Sequence, residues 1–127
     1  MKQQYYTYLA NFINETKRER ILYELQSEKK RETAFSKMTE FAKCFNEKDI
    51  VVNLSHLQDD LAVQTIEKTI AQKECFDLAY GKMERIKDAY QRAVNSYCLD
   101  VLIVDERTVI YVGECEYGAS EKYILQK

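Results

Sequence analysis

The chain of 127 residues contains no proline, and its three glycines, Gly81, Gly113 and Gly118, all fall in the last 47 positions. Turn-rich sandwiches and barrels depend on those residue types, so an all-β fold is disfavoured and long helices are expected over the first 80 residues. The same scarcity argues against a phosphate-cradling loop, which needs several glycines in one short stretch.

Apolar spacing fills in the elements. Tyr5, Tyr8, Leu9, Phe12 and Ile13 form the stripe of an amphipathic helix that ends near Asn14. Thr16-Lys17-Arg18-Glu19 reads as a capping box opening a second helix. Its apolar face runs from Ile21, Leu22 and Leu25 to Phe35, Met38, Phe41, Ala42 and Phe45, interrupted by the charged interval from Gln26 to Thr33. That interval is either a solvated helical stretch or a helix-helix corner. Ile50, Val51 and Val52 suit a short strand or an extended connector. Ser55-His56-Leu57-Gln58 matches a second capping box, with Asp59 and Asp60 facing the positive end of a third helix. From Phe76 through Tyr80, Met83, Ile86, Tyr90, Ala93, Val94 and Tyr97 the spacing again reads as helix, divided near Gly81.

After Tyr97 the period drops to two. Leu99, Val101 and Ile103 alternate with Asp100, Leu102 and Val104; Asp105-Glu106-Arg107 makes a turn; Val109, Tyr111 and Gly113 alternate with Ile110, Val112 and Glu114. This is a β-hairpin, and a turn at Gly118-Ala119-Ser120 allows a third strand over Lys122 to Leu125. The expected fold is α+β in a single domain spanning 1-127, with about four helices in the N-terminal two-thirds packed on a small C-terminal antiparallel meander.

With 46% hydrophobic and 31% charged residues, the composition is that of a globular chain. No apolar run is long enough to span a membrane and no apolar signal core follows Met1, so a cytoplasmic location without membrane association is expected. Cys44, Cys75, Cys98 and Cys115 are widely spaced and the only histidine, His56, is far from each, so neither a zinc site nor disulfides are expected. No cofactor is implied.

Charge is divided unevenly. Residues 1–48 hold ten bases and seven acids, whereas residues 95–127 hold three bases and six acids. In the acidic third, Asp100, Asp105, Glu106, Glu114 and Glu116 lie on or beside the expected hairpin with Tyr111 and Tyr117. Carboxylates steer a basic partner and tyrosines supply contact area at low entropic cost, so these seven residues form the candidate partner-binding surface. The reading is a non-enzymatic protein-binding module, of inhibitor or immunity type, that docks a basic protein. A solvated sheet face is the plainer alternative for the same residues.

Two rival functions use other features. A metal-dependent nuclease would use Asp100, Glu114 and Glu116, but the step Glu114-Cys115-Glu116 lacks the lysine such sites carry. A nucleic-acid-binding regulator would use Lys17 to Arg31, but Glu15, Glu19, Glu24 and Glu28 interleave with those bases and dilute their field, which makes nucleic acid a poor partner.

Overall fold

The structure, a computed structural model, describes residues 2–115 and 120–127. The N-terminal third is helical: α1 (Lys2–Ala10), α2 (Glu15–Leu25), α3 (Arg31–Met38) and the single turn α4 (Phe41–Cys44). A 3-10 turn (Glu47–Asp49) leads into β1 (Ile50–Asn53), then come α5 (Asp59–Thr69), β2 (Glu74–Asp77), β3 (Lys82–Arg85) and α6 (Ile86–Ser96). The chain closes with β4 (Asp100–Asp105), β5 (Thr108–Val112) and β6 (Lys122–Gln126). All strands join one six-stranded sheet in the order β1-β6-β5-β4-β2-β3, antiparallel at every pairing. The fold is α+β. Among the described residues, no helix is long and apolar enough to cross a membrane.

The expected hairpin is β4 and β5, turning between Asp105 and Thr108, and β6 is the expected third strand. The turn placed at Gly118-Ala119-Ser120 lies largely outside the described residues. The meander is not a small annex under a helical cap, however. Its strands are the middle of the sheet, and helices cover both faces. Val101, Ile103, Val109, Tyr111 and Leu125 face the layer built by α1 to α4, while Leu102, Val104, Ile110, Val112 and Ile124 face α5 and α6. Near-continuous apolar strands are what a sheet buried on both sides requires, and each fully buried Leu or Ile contributes about 1.5–3 kcal/mol.

Three local readings are corrected. Phe76 to Tyr97 is not two helices: Glu74–Asp77 and Lys82–Arg85 form a hairpin, and only Ile86–Ser96 is helical. Gly81 lies in the hairpin turn at φ 68°, a left-handed conformation that glycine adopts without strain. Neither capping box forms. The second helix starts at Glu15 after Asn14, and α5 starts at Asp59 after Gln58, with no side-chain cap at either end. The Ser55 hydroxyl instead accepts the Lys122 N–H at 2.9 Å, holding the link after β1 against β6. The charged interval after Leu25 is a corner between α2 and α3.

Tyr111, expected on an outward face, is fully buried among Phe41, Phe45 and Tyr123. Its position follows from sharing a strand face with Val109. The phenol donates to the Met38 carbonyl at 2.7 Å, tying the end of α3 to the sheet. Tyr111→Phe leaves that buried carbonyl without its donor and is expected to lower unfolding free energy by about 1–2 kcal/mol in a urea titration, with the denaturant slope unchanged.

Candidate functional site

The β2–β3 hairpin is peripheral, and a cluster of charged side chains beneath α6 fixes it to the rest of the sheet. Cys75 and Asp77 alternate with Phe76, so they project from β2 toward α6 while Phe76 stacks on Tyr5 of α1. Asp77 Oδ1 accepts the Tyr80 N–H at 3.2 Å, and Oδ2 accepts from Arg92 Nη2 of α6 at 2.8 Å. Arg92 Nη1 donates to Glu84 Oε1 of β3 at 2.7 Å, and its second amino group also contacts Glu84 Oε2. One guanidinium thus bridges both strands of the hairpin in the forked geometry that favours Arg over Lys. The same group lies 4.0 Å from the Tyr80 ring centroid, a cation–π contact.

Asp100, at the start of β4, completes the cluster from the other side. Its Oδ1 accepts the Ala79 N–H at 3.0 Å and the Val101 N–H at 2.7 Å, so it holds the hairpin loop as well as its own strand. Asp100 is 2% exposed and Asp77 fully buried. Burial, then the hydrogen bond and charge of Asp77, push the Asp100 carboxyl up to about 8 against the pull of the Ala79 and Val101 amides. Oδ2 of Asp100 has no donor facing it. A proton on Asp100, donated toward Asp77, answers both facts, because an ionised Asp100 would meet the Asp77 carboxylate away from water. The neighbouring Cys75 thiol is pushed up by burial, then by Asp77 and Asp100, which makes it inert rather than nucleophilic.

Asp100 is therefore not part of an exposed acidic face. Its sequence neighbours on the same strand face, Leu102 and Val104, are both buried, and that is the signal that an alternating pattern read as polar-outward conceals. A metal-dependent nuclease built on Asp100 meets the same objection, since its carboxyl is sealed and already engaged. Among the described residues, no group of acids, cysteines and histidine is arranged to hold a metal.

The remaining members of the expected surface separate. Asp105 and Glu106 lie at the β4–β5 turn, where Asp105 accepts from Gln72 and from the Arg107 N–H. Glu114 is exposed at the other end of the same ribbon, one residue past Gly113. Glu116 and Tyr117 lie outside the described residues.

At that second end several elements converge. The hairpin loop joins β4 through the Ala79–Asp100 bond, and Cys115 N–H donates to the Tyr97 carbonyl at 3.0 Å, bringing the segment after β5 against the end of α6. Between them and α3 lies a cleft of about 280 Å³ lined by Phe35, Thr39, Ala79, Cys98, Leu99 and Glu114. Tyr80 and Tyr97 stand in the elements around it, 52% and 64% exposed. Tyr97 terminates α6 at φ 61°, a left-handed conformation that costs a residue with a Cβ about 1–2 kcal/mol. Arg31 of α3 clamps the loop from the opposite face, donating to the Leu78 carbonyl and, at 3.0 Å, to the Tyr6 hydroxyl.

Three of the six bases of the Lys17 to Arg31 region, Arg18, Arg20 and Arg31, are tied to groups of the chain itself, while Lys29 and Lys30 are exposed. Arg18 donates to the Ala10 and Ile13 carbonyls, and Arg20 joins Lys37 on the buried carboxylate of Glu24. A phosphate-tracking face would lose Arg18 and Arg31, which are turned onto backbone carbonyls, and part of the charge of Arg20, which is paired with Glu24.

Comparison with protein-family models, with curated proteins and with solved structures finds no match for this chain.

Because Asp100 keeps its proton to about pH 8 in the folded chain and an ordinary aspartate releases it at 3.8, the folded state binds more protons across that window. Stability consequently falls as pH rises through it and levels off above. Asp100→Asn mimics the protonated acid, donating to Asp77 while still accepting from both amides. Thermal unfolding on either side of the midpoint should show the wild-type decline removed in the variant.

Proposed function

We propose that this chain is a protein-binding module whose partner docks at the end of the sheet bearing the β2–β3 loop, the end of α6 and Glu114. The observation that carries the reading is Tyr97, a strained and largely exposed tyrosine at a helix terminus where glycine would fit without strain. Backbone strain combined with an exposed aromatic is a stability loss that folding alone gives no reason to keep. Tyr80, braced against Arg92, presents a second aromatic whose position is set before any partner arrives, which lowers the entropic cost of association.

The partner chemistry is cationic. Glu114, an exposed carboxylate, opens on the cleft at this end of the sheet. The finer reading is an inhibitor or immunity-type protein covering the basic substrate site of another protein, acting in the cytoplasm without chemistry of its own. It rests on the Glu114 carboxylate beside the exposed Tyr80 and Tyr97.

Two measurements test the reading. Tyr97→Gly is expected to raise stability by about 0.5–1 kcal/mol while weakening partner binding, the opposite signs expected of a binding residue held in strain. The immobilised chain should retain a basic protein from a lysate of its source cells. Retention should be lost with Tyr80→Ser combined with Tyr97→Gly and kept with Asp105→Lys combined with Glu106→Lys. The reverse pattern would place the interface at the β4–β5 turn and overturn the assignment.

A further inference from the structure

A second cleft, of about 270 Å³, opens at the opposite end of β2 between α5 and α6. Its floor is aliphatic, formed by Val63 and Ile66 of α5, by Ile70 just after that helix and by Ile86. Its rim carries three cations, Lys73, Arg85 and Lys87, and two carboxylates, Glu67 and Asp88. Elsewhere the cationic side chains that lie over apolar structure are engaged: Arg18 on carbonyls, Lys37 on Glu24, Arg92 on Asp77 and Glu84. Here, among the described residues, no hydrogen bond or ion pair joins any of the three rim cations to Glu67, Asp88 or any other group.

We propose that this cleft binds a small amphiphilic anion, a molecule with an aliphatic or aromatic body and a single carboxylate head. The body would lie over Ile66, Ile70 and Ile86, which are 3–4% exposed, so the apolar surface it removes from water is chiefly its own and that of the cation stems, and the head would lie among Lys73, Arg85 and Lys87. The methylene stems of the three cations extend the apolar wall and leave their charges at the mouth. The volume is just under the low end of the range of about 300–1,000 Å³ for ligand pockets, which favours a short chain or one ring over a long acyl tail. A neutral apolar ligand would satisfy the floor and leave the rim unanswered. A bare inorganic anion would do the reverse, meeting Glu67 and Asp88 without compensation. Gln72, which also lines the cleft, donates to Asp105 at the β4–β5 turn, so this site is separate from the loop end and stands or falls without it.

The test is an NMR titration of the full chain with octanoate, octanol and acetate, following the methyl groups of Ile66, Ile70 and Ile86. Octanoate should shift those methyls and saturate, with octanol and acetate weaker by about tenfold or more. Lys73→Glu combined with Arg85→Glu, both at exposed positions, should weaken octanoate by about tenfold or more and leave octanol unchanged. Equal binding of octanol and octanoate, or octanoate binding indifferent to the charge reversal, would reduce the cleft to a non-specific apolar groove and overturn the proposal. So would shifts spread over the surface instead of centred on those methyls.

Discussion

The loop end of this molecule depends on one electrostatic arrangement: a half-buried Arg92 held between Asp77 and Glu84, with the buried Asp100 packed against the buried Asp77. β2 and β3 are four residues each, too short to hold register by ladder hydrogen bonds alone, and β3 is an edge strand with no second neighbour. Phe76 secures one face of the hairpin by apolar contact. The other face is secured by charge, which is more directional, because a guanidinium and three carboxyl groups fit one another in few geometries. Breaking one partner of such a cluster strands the others in a dry environment, so its members act together.

That arrangement converts core chemistry into surface geometry. Asp100 and Asp77 bind the backbone of the hairpin loop at Ala79 and Tyr80, Arg92 carries the Tyr80 ring, and α6 ends five residues further on at the strained Tyr97. On the other face, Arg31 grips the Leu78 carbonyl and Tyr111 grips the end of α3. Residues buried at the loop end therefore set the positions of residues exposed there. Asp100 and Tyr111 belong to the same end as Glu114, but as supports beneath the surface and not as contacts upon it.

The central strands were legible as two short apolar runs rich in β-branched residues, too short for helices, on either side of the polar turn at Asp105 to Arg107. Which faces were buried was harder to read. Asp100 and Tyr111 look like outward residues only if one face of the ribbon meets water, and the apolar Leu102, Val104 and Val109 beside them argue that neither does. β2 and β3 were missed because Phe76, Tyr80, Met83 and Ile86 happen to fall at helical spacing, although they belong to a strand, a loop, an edge strand and a helix start. The second capping box failed for a tertiary reason, since Ser55 bonds to Lys122, 67 residues away, and the first because the helix starts a residue earlier, at Glu15, leaving Thr16 inside it. The Arg92 cluster joins residues from four elements, β2, β3, β4 and α6, and no local pattern announces a contact of that kind.

The most direct measurement is a carbon-13 carboxyl titration of Asp100 in the folded chain. The account predicts a midpoint of about 8, with the Arg92 side-chain signals changing in the same step. A midpoint at the ordinary aspartate value of 3.8, with no coupled change at Arg92, would show that Asp100 holds no proton against Asp77 and would remove the foundation of the loop end.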